Sequence, residues 1–243
     1  MDHRVPYDAG VAVSDVSPVP GTGWLPGMLR RNPSALLLGA QLLSVLAYPF
    51  LDSSAFGRAG VGVAGLVVVA AALWAVRRTP ALTWVALVVG IPAMVFTVLE
   101  AIYPDHGSIV LISAIFHAPL YLYISYGMVR YVFADEQVTS DEIYAVGAAF
   151  TVVAWGFAYV YSGAQVLWPG SFSGAGAGDR TWFELLFLSF TTLTSTGLSD
   201  ITPVLPHARS LSMVEQVTGV FYIAFVVARM VALTVVRRRS EER

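Results

Sequence analysis

The chain contains no cysteine, and all 14 of its Lys and Arg residues are arginine. The first absence excludes disulfides, thiolate metal sites and cysteine nucleophiles together; the second is read as genome composition. Charge of either sign is scarce. Only 12% of the 243 residues are charged, about half the ~25% usual in soluble domains. No glycine-rich phosphate loop and no metal-ligand spacing of histidine or carboxylate occurs, so no enzyme, no cofactor and no nucleic-acid partner are expected. An intramembrane protease would need Ser195 or Ser199 beside a helical histidine, and nothing in the spacing of His117 supplies one. A secretory leader is also missing: residues 1–31 are polar and rich in Pro and Gly, which reads as a disordered cytoplasmic tail.

What remains is apolar, with 56% of residues hydrophobic and a mean hydropathy of +0.69. Apolar runs at about 34–51, 59–76, 81–103, 108–133, 142–168 and 210–236 are each long enough to cross a bilayer as a helix. A shorter run, 181–193, follows the Gly/Ser-rich WPGSFSGAGAGDR; it is too short to cross and return. The fold class expected is therefore all-α transmembrane, with six spanning helices and a re-entrant helix and loop between spans five and six.

Arginine placement sets the orientation. Arg30, Arg31, Arg77, Arg78, Arg130 and 237–239 fall on one side under alternating topology, and Arg58, Arg180 and Arg209 on the other. The excess marks the first side as cytoplasmic. A multi-pass protein of the cell (inner) membrane with both termini cytoplasmic is expected, its basic RRRSEER end acting as a stop-transfer anchor at the anionic inner leaflet.

The polar string TTLTSTGLSD, residues 191–200, then sits at membrane depth. A helix ending there aims its partial negative charge at that depth and favours a cation. Thr194, Ser195, Thr196, Gly197, Leu198 and Ser199 offer carbonyls and hydroxyls, hard oxygen ligands for an alkali cation, with the ion placed at Ser195, Thr196 and Gly197. Gly197 can adopt backbone angles that turn successive carbonyls one way. The plain alternative is a Ser/Thr-rich reverse loop without an ion.

FLSFTTLTSTGLSDITPVLPHARSLSMVEQVTGVFYIAFVVARMVAL resembles the pore module of the tetrameric potassium channel superfamily over about 142–238, most densely over 188–230. Ser189-Phe190, Thr192-Leu193-Thr194, Gly197, Asp200-Ile201-Thr202-Pro203 and Ala208-Arg209-Ser210 all stand in the family's register. The resemblance implies a pore helix, a filter, an exit and an inner helix in a homotetramer, with bound potassium or sodium ions. It divides the chain into a four-helix accessory domain at 32–134 and a pore module at 135–239. The family's Thr-Val-Gly-Tyr-Gly is replaced by Ser195-Thr196-Gly197-Leu198-Ser199, which loses the tyrosine and the second glycine. Ser199 resists a positive φ at a cost of order 1 kcal/mol, so fewer ordered ion sites and weaker potassium over sodium selectivity are expected. The single-glycine string also resembles the pore loops of Trk/Ktr-type potassium-uptake proteins, which conduct potassium with one glycine per loop. A potassium-selective channel and a non-conducting scaffold are the competing outcomes.

Further residues carry expectations in the same frame. Asp200 serves as a pore-helix hydrogen-bond acceptor or an outer-mouth cation attractor, and Glu215 supports the filter from behind or pairs with Arg209. Gly219 is either a gating hinge or a close-packing site. Arg229 is structural, near the cytoplasmic end. The fourth span holds only His117 and Arg130, whereas a voltage sensor needs a cation at every third position, each worth about 2.3 kcal/mol per 100 mV. Voltage gating is excluded on that ground. His117 reads as a packing residue, Glu100 and His106 as solvated loop residues, and the acids at 135–142 as a solvated linker with Thr139 or Ser140 as N-cap; a divalent-ion site there is the minor alternative.

Overall fold

The computed structural model describes residues 32–51, 80–133, 139–176 and 178–241, with scattered positions between 54 and 66. The expected tail at 1–31, much of the second span at 59–76 and the acids at 135–136 lie outside these residues. The described helices are α1 (Pro33–Leu51), α2 (Pro80–Ile102), α3 (Gly107–Val132), α4 (Ser140–Leu167), the short α5 (Trp182–Leu193) and the long α6 (Pro206–Glu241). A two-residue strand, β1 (Phe172–Ser173), pairs antiparallel with β2 (Thr202–Pro203).

Among the described residues, four helices are long and apolar enough to cross a membrane: Pro33–Leu51, Gly107–Val132, Asp141–Leu167 and Pro206–Ala232. Leu87–Ile102 and Trp182–Leu193 are shorter apolar helices. The short run at 181–193 is thus a single helix of 12 residues, as its length implies.

Helix α4 is the centre of the molecule, because its small residues let neighbours approach closely. A β-carbon on Gly147 would stand 3.0 Å from Leu38 of α1, one on Gly156 3.2 Å from Leu122 of α3, and one on Gly163 3.2 Å from Ala114 of α3. Thr139 caps α4, its hydroxyl accepting from the Glu142 N–H at 3.3 Å. On α3, His117 is wholly buried. Its Nε2 bonds Thr97 of α2 at 2.9 Å, its Nδ1 lies 2.8 Å from the Ser113 carbonyl, and its ring stacks on Tyr159 of α4 at 4.2 Å. Every polar atom of that imidazole has a partner, so it is a packing histidine that joins three helices.

The acids at the start of α4 depart from expectation. Asp141 and Glu142 are buried rather than solvated, with 8% and 1% of their surface exposed. Asp141 accepts from both the N–H and the hydroxyl of Ser34, each at 2.8 Å, and so satisfies donors left open in the first turn of α1. Glu142 lies 3.9 Å from Arg229 of α6, whose guanidinium also sits 5.1 Å over the ring of Phe133. These are contacts between segments about a hundred residues apart, invisible to local charge patterning. Arg229 is accordingly bound within its own chain, in the half of α6 away from the 191–200 turn. Glu100 is likewise not a loop residue: it is part of α2, half-buried two residues before its end.

Candidate ion pathway

Helix α5 is fixed at its start by polar contacts from three sides. The Thr181 hydroxyl accepts from the Glu184 N–H, and the Glu184 carboxylate accepts from the Thr181 N–H at 2.6 Å, a reciprocal capping box. One residue earlier, Gln165 of α4 clasps the Arg180 backbone, donating to its carbonyl at 2.8 Å and accepting from its N–H at 2.9 Å. The Arg180 guanidinium, on a side chain only 5% exposed, turns into its own loop and donates to the carbonyls of Ala175, Gly176 and Gly178. The same loop closes on the exit of the 191–200 turn: a β-carbon on Gly174 would stand 2.3 Å from Ile201 Cδ1, and the Ser173 and Thr202 hydroxyls bond across the strand pair at 2.6 Å.

Beyond Leu193 the chain folds back under its own helix. The Thr194 N–H donates to the Phe190 carbonyl at 3.1 Å, Ser195 N–H to Thr192 at 3.0 Å, and Thr196 and Gly197 N–H both to Thr191 at 3.0 and 3.2 Å. No peptide bond among the described residues is cis, and in a planar trans peptide the carbonyl points opposite the following N–H. The N–H groups of 195, 196 and 197 face α5, so the carbonyls of Thr194, Ser195 and Thr196 face away from it. These peptides extend the alignment of the helix, and the partial negative charge of its C-terminus passes to those three oxygens.

Two residues of this turn have positive φ: Gly197 at 65° and Ser195 at 56°. The strain expected at Ser199 is therefore found at Ser195, the one non-glycine residue in the left-handed region among those described. The cause is the fold-back itself. Three consecutive N–H groups reach the last carbonyls of α5 only if the chain reverses its handedness immediately after Thr194. The hydroxyls are less free than their count suggests: Thr194 donates to Phe190 at 2.7 Å, Thr196 lies 3.3 Å from the Thr191 carbonyl, and Ser199 accepts from the Ile201 N–H at 3.1 Å. Backbone carbonyls, more than hydroxyls, are the open oxygens.

Residues 147–235 match a family model described as an ion channel.

That match runs from within α4 through α5 and the turn into α6, the elements whose geometry has just been given, and it supports an ion-channel family. It points to a transport protein rather than an enzyme and, with the apolar helices, to a multi-pass membrane protein. No curated protein and no solved structure matches the chain.

Behind the turn, Glu215 of α6 is completely buried. Its carboxylate bonds the Tyr161 hydroxyl of α4 through one oxygen and the Ser189 hydroxyl of α5 through the other; Ser189 also lies 2.8 Å from the Ala154 carbonyl. Glu215 thus ties α4, α5 and α6 together at one point, and Arg209 lies elsewhere, its Nε 3.3 Å from the Pro203 carbonyl. Four residues further along α6, Gly219 meets the end of α5 at the Leu193 carbonyl. Asp200 is exposed and bonds no described residue, while Leu198 is 78% exposed. A groove of about 450 Å³ runs beside the turn, between Thr191, Ser195 and Gly197 and the Gln216, Val220 and Phe221 face of α6.

Sequence reading missed Tyr161, Ser189, Gln165 and Arg180 as parts of this machinery. Tyr161 and Gln165 lie in an apolar helix with no motif around them. The signal for Arg180 is present, a lone arginine beside four glycines in 170–178, but its pattern alone reads only as an outer-side charge.

Proposed function

We propose that the chain is one subunit of a homotetrameric channel in the cell (inner) membrane that conducts monovalent cations past residues 194–199. The observation that carries this is that the Thr194, Ser195 and Thr196 carbonyls are all turned away from α5 on an exposed edge of the subunit. One subunit supplies one wall, and closed cyclic symmetry turns such a wall into a ring of carbonyls able to replace a cation's water. The ion-channel match over 147–235 supports the same reading.

Potassium and sodium, as ions held near Ser195, Thr196 and Gly197, are the substrates, and discrimination between them is weak. Leu198 brings no hydroxyl to tether the wall, and within residues 194–199 positive φ is confined to Ser195 and Gly197. Fewer aligned carbonyls discriminate less between alkali cations. Asp200 stands at the outer mouth as an exposed acid, Glu215 supports the turn from behind, and Gly219 sits where movement of α6 reaches the end of α5. Both termini are cytoplasmic. Voltage does not gate the channel, since α3 carries only Arg130 and the packed His117.

Gly197→Ala tests the assignment. A β-carbon at 197 meets nothing within 4 Å, so the fold tolerates it apart from about 1 kcal/mol for a left-handed alanine. Conduction, which depends on the carbonyl ring keeping its form, is lost while the purified protein remains a tetramer. A tetramer with undiminished current would remove Gly197 from the ion path.

A further inference from the structure

A cavity of about 540 Å³ lies between the accessory helices and the pore module, within the range of sites that hold drug-sized ligands. Its walls are graded along their helices. Glu100 is two residues from the end of α2, Asp105 is in the hairpin between α2 and α3, and Asp179 stands three residues before the start of α5. All three line the cavity at its mouth. At 1.5 Å per residue, Tyr121 lies about 21 Å into α3 from that same end, and Tyr159 and Trp155 about 12 and 18 Å back along α4. The floor is aromatic, with Tyr121 5.8 Å from both Trp155 and Tyr159 between ring centres.

Three carboxylates line this end of the cavity against one guanidinium, so its formal charge is net negative. Arg180 also lines the cavity, but its guanidinium is directed to the carbonyls of Ala175, Gly176 and Gly178. The acids are left to act on an occupant. At the floor, the indole N–H of Trp155, a side chain 4% exposed, has no acceptor among the described residues, and neither has that of Trp182. A buried donor without a partner calls for an acceptor atom.

We propose that this cavity is a binding site for a small amphipathic organic cation. An ammonium group sits at the mouth against Glu100, and an aromatic body bearing an oxygen acceptor lies on the floor near Trp155. Acidic and aromatic groups at opposite ends of one cleft select such a molecule over a neutral one, because the carboxylate favours an ammonium while the aromatic floor favours an apolar ring. The cavity also touches Thr181, Trp182 and Phe183. An occupant therefore bears on the first turn of α5 from behind and reaches the ion path without entering it.

Tyramine is the probe, because it joins an ammonium to a phenolic oxygen; 4-ethylphenol lacks the ammonium and phenethylamine lacks the oxygen. Calorimetric titration of the full purified chain in detergent is expected to show one saturable tyramine site per chain. Both analogues bind more weakly, 4-ethylphenol by about tenfold or more, the scale of a lost charged hydrogen bond. Glu100→Gln weakens tyramine to the level of 4-ethylphenol and leaves 4-ethylphenol itself unchanged, which also shows that the cavity has kept its form. Equal affinity for tyramine and 4-ethylphenol, or tyramine binding unaltered by Glu100→Gln, as for an amine held in the ion path, would overturn the proposal. Binding is read without current, so failure here leaves the proposed conduction standing, and a silent channel leaves this site standing.

Discussion

Gly219 of α6 lies directly on the carbonyl of Leu193, the last residue of α5: a β-carbon at 219 would stand 1.9 Å from that oxygen. The contact is between two backbones, and neither can move aside as a flexible side chain does.

Gly219→Ala therefore separates α6 from the end of α5. Overpacking of this kind costs about 1–3 kcal/mol, and the thermal unfolding midpoint of the purified protein falls. A hinge glycine makes a different prediction, altered opening with an unchanged midpoint, so measuring both quantities on one preparation distinguishes close packing from hinge bending.

Glu215 joins Tyr161 to Ser189, and its value lies in having two oxygens at one buried point. Glutamine keeps that geometry, accepting from Tyr161 and donating to Ser189. Glu215→Gln retains current and thermal stability; Glu215→Leu removes the acceptor that Tyr161 and Ser189 share, leaving Ser189 only the Ala154 carbonyl, at a cost of about 1–3 kcal/mol, and lowers both. Equal behaviour of the two variants would contradict a hydrogen-bonding role.

The strain at Ser195 has its own signature. With φ at 56°, the position accepts glycine, whose backbone freedom suits it, and rejects a β-branched residue, for which such an angle is a true outlier. Ser195→Gly leaves the tetramer assembled, whereas Ser195→Val destabilises it, as read by the tetramer fraction in size-exclusion chromatography after mild heating.

Arg180 is not replaceable by lysine if its planar fork is what organises the loop before α5. One ammonium cannot reach three carbonyls from the positions the guanidinium uses. Arg180→Lys should expose the 174–179 segment to limited proteolysis almost as much as Arg180→Ala does. Protection of the lysine variant equal to that of the parent would show that charge alone suffices.

The fold was legible where the signal is carried by runs of residues. Apolar length located α1, α3, α4 and α6, the short run at 181–193 gave α5, and Thr139 was one of two caps foreseen for α4. Local strings also marked the turn, since TTLTSTGLSD has no other reason to interrupt an apolar sequence. What stayed hidden was long-range and polar. Asp141 capping Ser34, Glu142 meeting Arg229 and Tyr161 reaching Glu215 each join positions 54 to 107 residues apart, and no periodicity encodes such partners. The strain moved from Ser199 to Ser195 for a related reason: a family pattern supplied the expectation, while the hydrogen bonds of this chain to Thr191 and Thr192 decide which residue must turn.

The most direct measurement is the reversal potential of the purified protein in planar bilayers with potassium on one side and sodium on the other. A ring built from Thr194, Ser195 and Thr196 carbonyls with one glycine predicts cation current reversing near zero. A reversal near the potassium equilibrium potential would contradict weak selectivity, and the absence of any current, with ion flux into vesicles also absent, would contradict conduction itself.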